Sequence, residues 1–247
     1  MQNRFKTSAT IRRMVIIAMF MAMTYVTMLL LRIKVPPFLT LDVKDTVTTL
    51  CGLFLGPIAA LVIAVAVPLL EFFISDTGFY GLIMNTLGSV TFCVTVALFY
   101  KWKKTIWGAV TGLVSAALLM TGVMLLANTL ITPYYLVLIM DMSLDAARAT
   151  VRSLIPPTIL PFNLLKGFLN VGLVLLLYKP LSRVLHKTGF LKRSSRTAEK
   201  AMAEEATKKP APANRILTSV VVTVAAVLII AIAFTLIFTV MKGTFGG

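Results

Sequence analysis

Residues 106–131 read IWGAVTGLVSAALLMTGVMLLANTLI, without one charged side chain. An α-helix rises about 1.5 Å per residue, so a helix of this length crosses the roughly 30 Å of hydrocarbon in a bilayer. Similar apolar stretches occupy residues 14–31, 159–178 and 216–241. Each of them predicts a membrane-spanning helix, and together they predict an all-α integral membrane protein.

The overall composition agrees with this prediction. Hydrophobic residues make up 58% of the 247 residues and charged residues only 13%, against roughly 45–50% and 25% in soluble domains. The formal net charge is +15, but the Lys and Arg residues form short blocks beside apolar segments, as they do at the cytoplasmic ends of membrane helices. The lipid bilayer therefore explains the basic charge, and no nucleic-acid partner is expected.

The positive charges also predict the topology. Residues 46–74 form one long helix or two helices parted at Gly56-Pro57, where Pro removes a backbone donor and Gly relaxes the chain. If the chain breaks there, three basic blocks fall on one side of the membrane: 1–13, 101–104 and 179–215. Lys and Arg tend to remain in the cytoplasm. We therefore predict a multi-pass bundle of six helices with a cytoplasmic N-terminus and a more acidic outer face.

This topology divides the chain into three parts. Residues 1–181 form the six-helix membrane domain, residues 182–215 a basic cytoplasmic linker, and residues 216–247 an additional transmembrane helix with a short tail. The helices that are easiest to place are the first, fourth, fifth and sixth, at about 14–31, 79–100, 106–131 and 159–178.

Asn163 and Lys166 place an amide and an ammonium three residues apart, on nearly the same face of the sixth helix. A Lys inside an apolar membrane helix is energetically costly and by default marks a function. The alternative is that Lys166 extends its ammonium to the outer interface while Asn163 bonds a neighbouring helix. The pairing of the two groups favours a ligand site.

Three further polar residues are candidates for the same site. Asn128, near the outer end of the fifth helix, adds a second amide that could recognise the donor and acceptor edge of a planar ligand. Asp42 lies in the outer loop 35–45, which is either a lid or an ordinary connection with Asp45 capping the second helix. Asn85 in the fourth helix is the last candidate, although Asn128 and Asn85 are equally compatible with bonding between helices.

Ala18 and Ala22 are four residues apart in the first helix, a spacing of small side chains that permits close helix approach. Motifs for chemistry are not found. The sequence contains no Gly-x-x-x-x-Gly-Lys-Ser/Thr phosphate loop, and its one histidine, His186, has no companion metal ligands nearby. We therefore expect no catalytic residues, no metal site and no cofactor.

Several of these segments together resemble the riboflavin-specific S component of energy-coupling factor (ECF) vitamin transporters. The resemblance covers roughly residues 8 to 190 and includes the Gly56-Pro57 break. Its remaining motifs are LTLDVKD at 39–45, GLIMN at 81–85, NTLITP at 128–133 and PFNLLKG at 161–167. The last two are the ones most typical of the riboflavin branch.

The resemblance implies a bacterial cell-membrane protein that holds one vitamin near the outer face, beneath the loop between the first two helices. It implies that Asn128, Asn163 and Lys166 meet the polar edge of riboflavin, with Asp42 contributing from the lid. Ala18 and Ala22 match an Ala-x-x-x-Ala motif on which a transmembrane coupling subunit docks, with two ATPase subunits supplying energy. The linker and additional helix at 182–247 depart from the usual six-helix pattern.

Other functions remain open from the sequence. The chain could bind a different vitamin in a similar pocket, or it could be a membrane enzyme acting on lipid. The enzyme would need acids or a histidine converging inside the bundle, and the sequence offers only Glu71 near the membrane edge. A structural or regulatory membrane protein would bind no ligand.

Overall fold

The structure is a computed structural model that describes residues 2–36, 38–103 and 105–187. These residues form a helical bundle with one short hairpin of two antiparallel strands, in which Val35 pairs with Leu39. In chain order the elements are α1 (Gln2–Leu30), β1 (Ile33–Val35), β2 (Leu39–Leu41), α2 (Lys44–Leu55), α3 (Pro57–Phe72), α4 (Gly78–Trp102), α5 (Ile106–Met140), α6 (Leu144–Leu154), a π-helical turn (Ile155–Ile159) and α7 (Leu160–Lys187).

The predicted break at Gly56-Pro57 is present. Gly56 has a φ of 95°, which a residue with a side chain rarely adopts, and Pro57 is the first residue of α3. The chain reverses here, because Lys44 at the start of α2 lies 2.6 Å from Glu71 at the end of α3. α2 and α3 therefore run antiparallel, as the charge pattern predicted.

The bundle has two distinct ends. One end, here called the hairpin end, carries the β1–β2 hairpin. At the opposite end, Arg13 donates a hydrogen bond to the carbonyl of Leu55, and the hydroxyls of Tyr100 and Tyr178 lie 3.1 Å apart. The start of α1, the α2–α3 and α4–α5 connections and the end of α7 therefore meet at that end.

Within the part of the chain that the structure describes, four helical stretches are long and apolar enough to cross a membrane: Thr10–Leu30, Gly78–Trp102, Trp107–Met140 and Leu144–Val184. The helix Pro57–Phe72 is apolar but shorter. Large apolar side chains are exposed around the bundle, among them Leu118 and Leu130, as expected where lipid surrounds a protein. The predicted number of membrane spans, six in the bundle and a seventh at residues 216–241, stays a prediction.

Several predicted helix boundaries were wrong, and the first helix, which was expected to begin at about residue 14, begins at Gln2. The fifth helix was expected to end at residue 131 but continues through Pro133 to Met140. The sixth helix was expected to begin at 159, yet the chain is already helical from Leu144, where α6 begins. The two extensions support each other, because Leu136 of α5 packs in one buried cluster with Ala147 and Val151 of α6.

The sixth predicted helix ended at 178, whereas α7 continues to Lys187, past the proposed domain boundary at 181. The remainder of the linker to 215, the additional helix at 216–241 and the tail lie outside the described residues. The three-part division of the chain stays a prediction.

Candidate functional site

A cavity opens at the hairpin end, enclosed by the hairpin and by α4, α5 and α7. Its volume is about 60 Å³, room for a few water molecules. Hairpin residues 38–40 cover one side. The residues of interest on its wall are Arg32, Tyr80, Met84, Asn85, Met124, Asn128, Phe162, Asn163 and Lys166.

Four of the five predicted binding residues line this one cavity, although they come from three helices. Asn85 is on α4, Asn128 on α5, and Asn163 and Lys166 on α7. The close approach of α5 and α7 brings the last two helices together, since a methyl group added at Gly167 would lie 3.0 Å from Cβ of Ala117. The fifth residue, Asp42, does not line the cavity.

The amides on α5 and α7 are held by their own helices. Asn128 donates through Nδ2 to the carbonyl of Met124, and Asn163 donates to the carbonyl of Ile159, both at 2.8 Å. Thr132 donates a hydrogen bond of 3.0 Å to Oδ1 of Asn128. Both prongs of the Asn128 amide are therefore bonded within α5, whereas Asn163 turns its carbonyl oxygen away from the carbonyl of Ile159.

Asp42 lies behind the cavity wall and holds Lys166 in place. Its Oδ2 is 3.1 Å from Nζ of Lys166 and 3.7 Å from Nζ of Lys44. Burial alone would raise the pKa of Asp42, but the two ammonium groups outweigh burial and hold that pKa below its usual value. The predicted lid residue is thus a buried carboxylate that positions a cavity residue.

Sequence reasoning missed the rest of this charge network. Glu71 accepts hydrogen bonds from Lys44 at 2.6 Å and from Asn85 at 3.0 Å, and Arg32 lies 3.4 Å from it. Asp45 is also buried, where it accepts a hydrogen bond from the Ser89 hydroxyl. Asp42 and Glu71 are thus paired with Arg32, Lys44 and Lys166, which lowers the cost of placing these charges away from water.

Asp45 was also considered as the cap of the second helix, and the structure does not place it there. α2 begins at Lys44, and the capping position belongs to Val43, which makes no side-chain cap bond. Asp45 is instead in the first turn of the helix. Its burial against Ser89 of α4 depends on a contact between elements that the local sequence does not reveal.

Aromatic residues of α4 and α5 pack against the hairpin. Tyr80 and Tyr135 stack with ring centroids 4.2 Å apart, and Phe38 of the hairpin meets Tyr80 edge-on at 6.2 Å. The Tyr80 hydroxyl lies 3.0 Å from that of Thr132. These contacts connect the hairpin to the amide of Asn128 through Thr132. Nothing in the sequence beyond the presence of aromatic residues indicates them.

Ala18 and Ala22 lie elsewhere, on an exposed face of α1. Val15 and Met19 on the same face are about half exposed, at 49% and 50%. Within residues 2–36, 38–103 and 105–187, no group of three His, Cys, Asp or Glu side chains is placed to hold a metal ion.

A membrane helix bundle with a partly polar cavity beneath a hairpin at one end defines a membrane protein that binds a small molecule. The chain belongs to the family described as "ECF transporter, substrate-specific component", whose model matches residues 12–178. This confirms the resemblance found in the sequence. The family consists of transport subunits, so the chain is a transport component of the membrane and not an enzyme.

Two relatives are similar over most of the described chain. One is the riboflavin transporter RibU of Staphylococcus aureus (strain TCH60), 30% identical over 182 residues that cover 71% of this chain and 93% of the relative. The other is a solved structure titled "Structure and mechanism of the S component of a bacterial ECF transporter". It aligns with a TM-score of 0.57 and 28% identity over 75% of this chain and 99% of the solved one.

Proposed function

We propose that this chain is the riboflavin-binding subunit of a bacterial ECF transporter and takes up the vitamin from outside the cell. The observation that carries the proposal is the convergence of Asn85, Asn128, Asn163 and Lys166 on one cavity at the hairpin end. The similarity to a riboflavin transporter over 93% of its length supports the same ligand.

The chemistry of the cavity matches the polar edge of a flavin. The isoalloxazine ring presents one imide N–H between two carbonyl oxygens, so a complementary site needs both acceptors and donors. Amides supply both, and the ammonium of Lys166 supplies further donors. Met84, Met124 and Phe162 supply apolar surface for the ring. A ligand lacking the imide edge would leave buried polar groups unpaired, at a cost of about 1–3 kcal/mol each.

The hairpin controls entry in this proposal. Ligand cavities usually measure about 300–1,000 Å³, and this one measures about 60 Å³, so a flavin enters only if the hairpin and nearby side chains move outward. The hairpin has only three residues in each strand. Its exposed ion pair between Lys34 and Asp76 adds little to hold it closed, because water and salt screen exposed ion pairs.

Delivery of the vitamin uses a different surface. We propose that Ala18 and Ala22 form the contact for a transmembrane coupling subunit, which two ATPase subunits drive. Their small side chains on an exposed apolar face of α1 permit close helix approach. The basic residues at the opposite end of the bundle favour a cytoplasmic location for that end under the positive-inside rule, which supports a cytoplasmic N-terminus and an outward-facing cavity.

A ligand titration tests the proposal. The protein, purified in detergent, is examined for the visible absorption of bound flavin, stripped of ligand, and titrated with riboflavin while the flavin fluorescence is followed. Stoichiometric quenching is expected. Unchanged fluorescence would overturn riboflavin as the ligand, and titration with a panel of other vitamins would then test the rival within the family.

A further inference from the structure

Glu71 has the most connected side chain at the hairpin end, although it does not line the cavity. It lies in the last turn of α3 and is only 2% exposed. Its Oε2 accepts a hydrogen bond of 2.6 Å from the ammonium of Lys44. Its Oε1 accepts a hydrogen bond of 3.0 Å from Nδ2 of Asn85 and lies 3.4 Å from the guanidinium of Arg32.

The bond to Asn85 has a fixed polarity. The Oε1 atom of Glu71 that faces Asn85 also lies 3.4 Å from the guanidinium of Arg32, and because a guanidinium can only donate hydrogen bonds, this oxygen is an acceptor. Asn85 must therefore turn its NH₂ group toward Glu71. Its carbonyl oxygen, Oδ1, is the other prong of the same planar amide and is directed away from Glu71. Asn85 itself lines the cavity.

We propose that Glu71 is a positioning residue that makes Asn85 a hydrogen-bond acceptor for the ligand. It acts by holding the amide of Asn85 in one of its two orientations, so that Oδ1 receives an N–H or O–H of the bound molecule. This inference rests on the proposed function and deepens it. Through Arg32, the residue immediately before the hairpin, the same carboxylate also ties Asn85 to the base of the hairpin.

Substitution of Glu71 by Gln should invert this orientation. Gln has nearly the same shape but offers one oxygen and one NH₂ group in place of two oxygens. Two cations compete for that oxygen, and the ammonium of Lys44 will take it, because Lys44 lies 2.6 Å from Glu71 and Arg32 lies 3.4 Å from it. The NH₂ of the new side chain then faces Asn85, whose amide turns over and presents its own NH₂ to the ligand.

A double-mutant cycle on riboflavin affinity tests this account. Asn85→Ala should weaken binding about tenfold, which corresponds to loss of one hydrogen bond, and Glu71→Gln should weaken it by a similar factor. The double variant should bind no more weakly than Asn85→Ala alone, because Glu71 acts on the ligand only through Asn85. A purely structural role of Glu71 would instead make the two factors multiply.

A rescue variant keeps the test decisive if Glu71→Gln folds poorly. Adding Lys44→Met removes the competing cation, and together with Glu71→Gln it removes one buried charge of each sign, so the network stays balanced. The Gln oxygen can then face Asn85, and the dissociation constant should return to within about threefold of the unsubstituted protein. Failure of this rescue, with both proteins folded, would overturn the inference.

Asp76→Asn is the matched control, because it removes an acid from an exposed ion pair at the same end of the bundle. It should leave the dissociation constant unchanged. If the unsubstituted protein does not bind riboflavin, the proposed function and this inference fall together. If it binds and the factors of the cycle multiply, the inference alone is wrong.

Discussion

The hairpin end and the exposed face of α1 differ in the kind of side chain that each carries. At the hairpin end, six charged groups from five segments lie close together, and Asp42, Lys44 and Glu71 among them are at most 2% exposed. On the face of α1 that carries Ala18 and Ala22, every exposed side chain between residues 14 and 30 is apolar or small. Buried ion pairs hold the side chains of a site in fixed positions, whereas an apolar face with small side chains allows another helix to bind and leave.

The two regions are therefore expected to have separate functions. Substitutions at the hairpin end should change ligand affinity, and substitutions on the face of α1 should change transport without changing affinity. The predictions below test that separation, beginning with the largest effect.

Ala18→Trp should abolish riboflavin uptake while leaving the dissociation constant unchanged. A large side chain at this position prevents the close helix approach that the proposed docking needs, and the position is on the exposed face of α1. Uptake of labelled riboflavin by cells and fluorescence titration of the purified protein measure the two quantities.

The matched control for Ala18→Trp is Leu118→Trp on α5, which changes a side chain that is 53% exposed to another large apolar one. It should transport normally. Normal uptake by the Ala18→Trp variant would remove the docking role from this face.

Lys166→Ala should weaken riboflavin binding by about tenfold to one-hundredfold, as expected for a hydrogen bond to a charged group worth about 1.5–3 kcal/mol. It should also lower thermal stability, because Asp42 keeps only the more distant Lys44 as a partner. Titration and a melting curve in detergent measure both effects. Affinity that stays the same in a folded variant would exclude Lys166 from the site.

Asn163→Ala should weaken binding about tenfold, since it removes one amide from the cavity wall. Asn170→Ala is the matched control on the same helix. Asn170 is buried and bonded to Thr46 at 2.6 Å, but it does not line the cavity. The control should lower stability and leave affinity within about twofold. Equal loss of affinity in both variants would indicate a general loss of packing instead of a ligand contact.

The smallest expected effect is that of pH. The pKa of Asp42 is held below its ordinary value of 3.8, so its ion pair with Lys166 stabilises the folded protein above that value and is lost as the pH falls through the lower, folded-state pKa. Binding and stability should therefore not change through Asp42 between pH 8 and 5. A drop in affinity in that range, measured by titration, would contradict the assigned ion pair.

Some features of the fold could be predicted because they depend on local sequence. The apolar stretches that became α1, α4, α5 and α7 each exceed the length needed to cross a bilayer. Gly56-Pro57 ended one helix and began the next, as residue chemistry dictates. The candidates Asn163 and Lys166 stood out because polar groups are rare and costly inside apolar helices.

Other features could not be predicted in this way. α6 escaped detection because it is short and carries Asp145, Arg148 and Arg152 on its exposed side, so it has no long apolar stretch. Its stability comes from packing of Ala147 and Val151 against α5. Likewise Glu71 looked like an isolated acid at a membrane edge, because its partners Arg32 and Lys44 precede it by many residues.

By itself, the sequence determined that this protein is a multi-pass helical membrane protein, that a helix breaks at Gly56-Pro57, and which polar side chains are too costly to be incidental. These properties follow from the free energy of transferring each segment between water and lipid, which depends on local composition. The tertiary structure decided that Asp42 supports Lys166 from behind the cavity wall and that Glu71 holds the amide of Asn85. Hydrogen bonds need atoms within about 3 Å, and only the folded chain brings such distant residues that close.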